Sequence, residues 1–180
     1  MTEETQLLEK LKSESQKEEA FRELITLYKE RLYWHIRNIV KSHDDADDVL
    51  QNTFIKIYRN INAFKGESKL YSWMYRIATN ESLTLIDKNA KRLQITSEEV
   101  QETAINNLAS DPYFEGDAIQ LKLQKAIATL PQKQQLVFNM KYFEDLKFKD
   151  MSDILQTSEG ALKASYHLAV KKIEAYLTQN

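Results

Sequence analysis

The sequence predicts an all-α fold: two small helical domains joined by a flexible acidic linker, the second a helix-turn-helix domain. Three observations carry this expectation. Apolar residues recur at three- and four-residue spacing through most of the 180 residues, the pattern of helices with one buried face. Only three Gly and two Pro interrupt the chain, too few for a fold rich in tight turns. Residues 96–117 hold no Lys or Arg against six Asp and Glu, whereas residues 1–95 hold 16 against 15 and residues 118–180 hold 9 against 6. The net charge of −2 is therefore set in the middle of the chain.

A short helix near Leu7 to Leu11 precedes a long one over residues 19–41, where Phe21, Leu24, Ile25, Tyr28, Leu32, Ile36, Ile39 and Val40 share a face. After a turn at Lys41-Ser42-His43, Asp44 or Asp45 is placed to cap the next helix, and Asp47 and Asp48 complement the positive end of its dipole. That helix buries Val49, Leu50, Phe54, Ile57, Tyr58 and Ile61 and stops before a loop at residues 64–68. An aromatic helix over residues 69–90 follows, with Leu70, Trp73, Met74, Ile77 and Ala78 on an apolar face and Lys69, Ser72, Arg76 and Asn80 on a polar stripe. These elements make a first domain at residues 1–92.

Residues 93–117 lose the apolar period and contain Asp111-Pro112 and Glu115-Gly116-Asp117, which reads as the flexible acidic linker. The second domain, residues 118–180, begins with a helix carrying Ile119, Leu123, Ala126, Ile127 and Leu130. Pro131 suits the first turn of the next helix, which buries Leu136, Val137 and Met140. Phe148, Met151, Ile154 and Leu155 define a short helix, Gln156-Thr157 a turn, and Ser158 the N-cap of a last helix. On that helix Leu162, Tyr166, Ala169, Ile173 and Tyr176 fall on one side, with Lys163, His167, Lys171 and Glu174 on the other.

Composition excludes several functions. Without cysteine, disulfides, thiol chemistry and zinc–thiolate sites are absent. Neither a signal peptide nor a membrane-spanning run is visible, which points to the cytoplasm and to no direct membrane insertion. His35, His43 and His167 stand far apart and show no metal-ligand spacing, so His35 reads as a helix-surface or satisfied half-buried residue. No phosphate-binding glycine loop or nucleophile elbow occurs, so neither cofactor nor catalysis is expected.

What the chain does carry is hardware for nucleic acid. Residues 64–80 place a basic glycine turn before a helix with Lys69, Tyr71, Trp73, Tyr75, Arg76 and Asn80. Cations neutralise phosphates, flat rings stack unpaired bases at roughly 1–3 kcal/mol each, and an amide reads a base edge. Trp73 and Ile77 can equally serve the core. In the last helix Lys163 and His167 occupy the N-terminal half, where a recognition helix needs donors; a solvated face is the plain alternative. The face with Asp45, Asp48, Gln51 and Asn52 suits a basic partner helix. Both flanks are only mildly basic, which describes a DNA binder that gains affinity from a larger partner.

Three ordered motifs carry a family resemblance. Phe64, Lys65, Gly66, Ser68, Trp73, Arg76, Ile77, Ala78 and Asn80 match the promoter-melting helix of bacterial extracytoplasmic-function sigma factors, members of the sigma-70 superfamily. Asp45-Ala46-Asp47-Asp48-Val49-Leu50-Gln51-Asn52-Thr53-Phe54 resembles the family's upstream motif, and a helix-turn-helix closes the chain. The resemblance covers about residues 20–177. It implies that Asp45, Asp48, Gln51 and Asn52 dock on the clamp coiled coil of core RNA polymerase, with Asn52 standing where glutamate is usual. It implies that Phe64, Lys65, Gly66, Ser68, Lys69, Trp73, Arg76 and Asn80 capture the melted minus-10 element, and that Ser158, Lys163, His167 and Lys171 contact minus-35 duplex. Ala164, Ser165 and Leu168 stand where relatives commonly have arginine, which leaves base preference open. The acidic linker is expected to lie in the polymerase's basic channel, and an anti-sigma factor is an expected partner. The alternatives are a polymerase-independent helix-turn-helix regulator, separable by promoter binding without core enzyme, and a helical adaptor without a DNA role.

Overall fold

The computed structural model of the protein describes all residues except Met1, Tyr113, Glu115 and Asn180. Its elements run in the order α1 (Glu3–Leu11), α2 (Lys17–Val40), α3 (His43–Asn60), a 3-10 turn (Ile61–Ala63), α4 (Leu70–Leu93), α5 (Ser97–Asn106), a second 3-10 turn (Leu108–Ser110), α6 (Ala118–Ala128), α7 (Gln132–Tyr142), α8 (Phe148–Leu155) and α9 (Glu159–Gln179). Among the described residues no strand occurs, no helix is long and apolar enough to cross a membrane, and no group of acidic and histidine side chains is arranged to hold a metal.

Local chemistry sets the helix ends. α2 stops at Lys41, whose φ of 64° ends the helical repeat while its N–H still reaches Arg37 O. Ser42, not Asp44 or Asp45, caps α3: its Oγ accepts from Asp45 N at 3.4 Å. Ser42 is the last extended residue before the helix, so its hydroxyl meets the free N–H groups and the aspartates fall inside the first turn.

The segment expected to be a linker without helical period contains α5. Its start is a capping box, in which Thr96 Oγ1 accepts from Glu99 N at 3.1 Å and Glu99 accepts from Thr96 N at 2.7 Å. Ile105 and Leu108 are buried, and Gln101 Nε2 donates to Ile39 O at 3.4 Å. The connection is thus helical over residues 97–106. Of its six carboxylates, Glu99 closes the box, Asp111 pairs with Arg37 at 2.7 Å and Asp117 caps α6. Glu115 lies outside the described residues.

A first core gathers Leu24, Leu32, Ile36, Ile57, Leu70 and Met74 from α2, α3 and α4; a second gathers Ala126, Ile127, Leu130, Phe138, Ala169 and Ile173 from α6, α7 and α9. The first core does not stop at the domain boundary. Val137, Met140, Leu146, Met151 and Ile154 join it, so α7 and α8 of the second domain close onto α2 and α4 of the first.

Polar links span the same interface. His35, expected at the surface or half-buried, is only 1% exposed. Thr79 Oγ1 donates to Tyr75 O at 2.7 Å; His35 Nε2 lies 2.7 Å from the same hydroxyl, and Nδ1 lies 2.9 Å from Glu144 Oε2. Both ring nitrogens are thereby partnered, one of them by Glu144 across the boundary. Asn139 Nδ2 donates to Asn38 O at 3.1 Å. Buried Lys41 donates to Gln124 Oε1 at 2.7 Å; desolvation, assisted by the Arg37 charge, lowers its pKa to about 7.

Candidate nucleic-acid and polymerase interface

The loop between α3 and α4 begins and ends on buried anchors. Phe64 and Leu70 are 4% and 0% exposed, while Lys65, Gly66, Glu67 and Lys69 are exposed. Gly66 holds φ at 77°, the left-handed region that side chains disfavour. No atom lies within 4 Å of where its Cβ would stand, so backbone conformation, not crowding, calls for glycine here. Phe64 packs on Trp73 with ring centroids 5.3 Å apart, leaving Trp73 half-buried at the edge of a pocket of about 370 Å³ that Lys65, Ser68, Arg76, Asp153 and Gln156 also line.

The structure thus brings Phe64, Lys65, Ser68, Trp73 and Arg76 together. Asn80 is exposed one turn beyond Arg76 and lines an adjoining groove with Leu83, Lys133 and Thr157. Two residues that the sequence places on this face belong instead to the interior: Tyr75 is 2% exposed and Ser72 0%. Each stands on the side of α4 that the closed second domain covers or the core occupies, so the polar stripe is narrower than helical spacing alone suggests. Burial pushes the Tyr75 phenol up to about 12 and also raises that of Tyr71, where Asp150 adds to the effect.

Two cations of this face, Arg76 and Lys69, have partners on α8. Arg76 Nε and Nη2 donate to the Asp153 carbonyl in α8 at 3.1 and 2.6 Å. Lys69 Nζ lies 3.3 Å from Asp150 Oδ1, a carboxylate 5% exposed. A backbone carbonyl and a carboxylate of α8 therefore engage these two cations.

On α3, Asp48, Gln51 and Asn52 are exposed and Asp45 is half-buried. Partial burial, then the neighbouring Asp48 and Asp44, raises the Asp45 pKa. Ile55, 46% exposed, extends this face by one turn. Its signal in the sequence is an isoleucine out of phase with the buried Val49, Phe54 and Ile57 positions.

On α9, Ser158 Oγ accepts from Ala161 N at 3.3 Å, as an N-cap does. Lys163, His167 and Lys171 follow at four-residue spacing, all exposed, with Lys163 Nζ 5.8 Å from the Phe148 ring centroid. Leu162, Ala169 and Ile173 face the interior. The side chains of Lys163, His167 and Lys171 stand open to solvent.

Comparison with known proteins places the chain in a family. The Sigma-70 region 2 family matches residues 24–92 and the family Sigma-70, region 4 matches residues 120–173. The chain belongs to the sigma-70 family. The extracytoplasmic-function RNA polymerase sigma factor SigW of Bacillus subtilis is 28% identical over 158 residues, covering 83% of this chain and 84% of SigW. The RNA polymerase sigma-H factor of Pseudomonas aeruginosa is 26% identical, covering 88% and 86% of the two chains. Among solved structures, the sigma factor RpoE in complex with the anti-sigma factor NepR from Bartonella quintana aligns with a TM-score of 0.67 at 18% identity, covering 88% of this chain and 96% of that one. CnrH in complex with the cytosolic domain of CnrY aligns with a TM-score of 0.68 at 17% identity, covering 98% and 95%. This sigma factor is of the extracytoplasmic-function group, and its two helical domains share the fold of those structures.

Proposed function

We propose that this alternative sigma factor binds core RNA polymerase through the α3 face of Asp45, Asp48, Gln51 and Asn52, and directs it to promoters read at two places. Phe64, Lys65, Gly66, Ser68, Lys69, Trp73, Arg76 and Asn80 capture the opened minus-10 strand; Ser158, Lys163, His167 and Lys171 engage minus-35 duplex. The observation that carries the reading is the pocket between the loop and α4, where Lys65, Ser68, Arg76 and Gln156, with the acidic Glu67 and Asp153, surround a half-buried tryptophan. Unpairing DNA is unfavourable, so a protein without an energy source must bind the opened strand better than the duplex, and a pocket that holds one base while rings stack its neighbours does so.

The domains must part for this to happen, because Asp150 and Asp153 occupy Lys69 and Arg76. Binding energy from polymerase and promoter would supply that separation. The partner expected to hold the closed form is an anti-sigma factor, the kind of protein bound to RpoE in the related structure. The chain works where polymerase works, in the cytoplasm, and carries no reaction of its own. The domain limits that fit are residues 1–92, 93–117 and 118–180, the middle segment crossing the polymerase between the two promoter contacts.

Run-off transcription with core polymerase on genomic fragments, with start sites sequenced, tests the proposal. Added chain should produce new starts sharing two upstream elements, and Asp48→Arg should abolish core binding with native circular dichroism, since a reversed charge repels a basic partner. Specific promoter binding without core enzyme, and no new starts with it, would replace this reading by that of an independent regulator.

A further inference from the structure

The loop assigned to strand capture is held at both ends by a helix that the region 2 match, starting at residue 24, does not include. Lys12 Nζ donates to Phe64 O at 2.8 Å, and Glu4 Oε1 accepts from Leu70 N at 2.7 Å. These bonds bracket the exposed stretch between two buried side chains.

Each bond meets a local need. Lys69, the residue before α4, supplies no side-chain cap, because an ammonium cannot accept a hydrogen bond. The first N–H of the helix would be left unpaired. Glu4 provides the missing acceptor from another helix and places a carboxylate at the positive end of the α4 dipole. Phe64, at the other end, has already left the 3-10 turn, and its carbonyl is taken by Lys12. Both bonds come from one short element pinned to the core by Leu7 and Leu11, 5% and 1% exposed. One rigid piece therefore fixes the two ends together.

We infer that α1 is a positioning element for the minus-10 loop, with Glu4 and Lys12 as positioning residues that preform the loop before DNA arrives. A preformed loop does not have to be ordered when the strand is captured, so more of the binding energy goes into opening. The inference rests on the strand-capture reading proposed for this loop.

The test uses the full chain with core polymerase on a promoter duplex mapped by run-off. Glu4→Ala and Lys12→Ala should each lower permanganate reactivity of minus-10 thymines about tenfold, the effect of removing one charge-assisted hydrogen bond, while core binding is unchanged. Glu4→Gln, which keeps an acceptor oxygen, and Lys12→Arg, which keeps a donor, should restore it. In the free chain, Glu4→Ala should speed hydrogen exchange at the Leu70 amide about tenfold without changing the amides of α3. Variants that open the promoter as wild type does overturn the inference alone. Loss of core binding in step with melting also overturns it, since α1 would then merely support the fold. A wild-type chain that opens no promoter defeats the strand-capture reading itself, and the inference falls with it.

Discussion

The two faces that meet promoter DNA in the proposed reading are built in opposite states. On α4, Arg76 and Lys69 are bonded to α8, and the apolar side of the same helix is continuous with the second domain. On α9, Lys163, His167 and Lys171 are all exposed. A duplex-binding helix needs only to be displayed, whereas a surface that takes up unpaired bases would stick to any single strand if left open, and here the protein's own carbonyl and carboxylate cover it. In that reading the α9 face is ready-made and the α4 face has to be uncovered.

Breaking the closed side should give the largest effect. Leu155 is half-buried between the domains, against the cluster of Ile39, Ile86 and Leu136. Leu155→Asp places a carboxylate in that apolar cluster at a cost of about 2 kcal/mol or more. The radius of gyration in small-angle scattering should rise while circular dichroism keeps its helical signal, and affinity for a minus-10 single strand should increase. An unchanged radius would mean that the closed arrangement is held elsewhere.

Lys41 gives a graded version of the same test. Its pKa falls from an unfolded value of 10.5 to about 7, so between these values the unfolded chain binds more protons than the folded one. Stability therefore rises with pH from about 7 to 10.5, and the penalty for burying the charge is fully present below 7. Lys41→Met should remove that slope and stabilise the protein near pH 7 by about 1–2 kcal/mol, read from urea unfolding at several pH values. A slope equal to wild type would show that Lys41 is solvated in solution.

On the open side, Lys163→Ala with Lys171→Ala should reduce affinity for minus-35 duplex about tenfold and lower the salt slope by roughly one unit for each phosphate no longer neutralised. Scattering should not change, because these side chains take no part in closure. His167→Ala should shift sequence preference more than salt slope. If the double variant binds duplex normally, α9 is not the reading helix.

The smallest effect concerns the connection. Limited proteolysis of the free chain should cut between α5 and α6 before it cuts within 97–106, where α5 protects the backbone. Early cuts inside α5 would show that its capping box does not hold the helix in solution.

Helices and motifs are well legible in the sequence, and pairings between distant segments poorly so. Periodicity locates α2, α3 and α4 to within a few residues because each buries one continuous stripe, and Ser158 is legible as a cap because its partner lies three residues on. α5 carries its own signal, Thr96-Ser97-Glu98-Glu99, yet the acidic composition argues for coil; burial of Ile105 and Leu108 outweighs it. Ser72 and Tyr75 sit at boundary positions of a helix that is covered on two sides, which a single-face wheel cannot show. His35 with Glu144, Arg76 with Asp153 and Glu4 with Leu70 join residues 109, 77 and 66 positions apart. No local pattern announces such pairs, and they decide which site residues are open and which are covered.

The most direct measurement of the central claim uses the absence of cysteine. Cysteines introduced at exposed Asn62, beside the loop, and at exposed Lys149, on α8, can carry a donor and acceptor dye. The account predicts high energy transfer in the free chain and a large fall when core polymerase and promoter are added, in step with permanganate reactivity at minus-10. Transfer that stays high in an actively transcribing complex would contradict it, because the α4 face would then be meeting DNA without ever leaving α8.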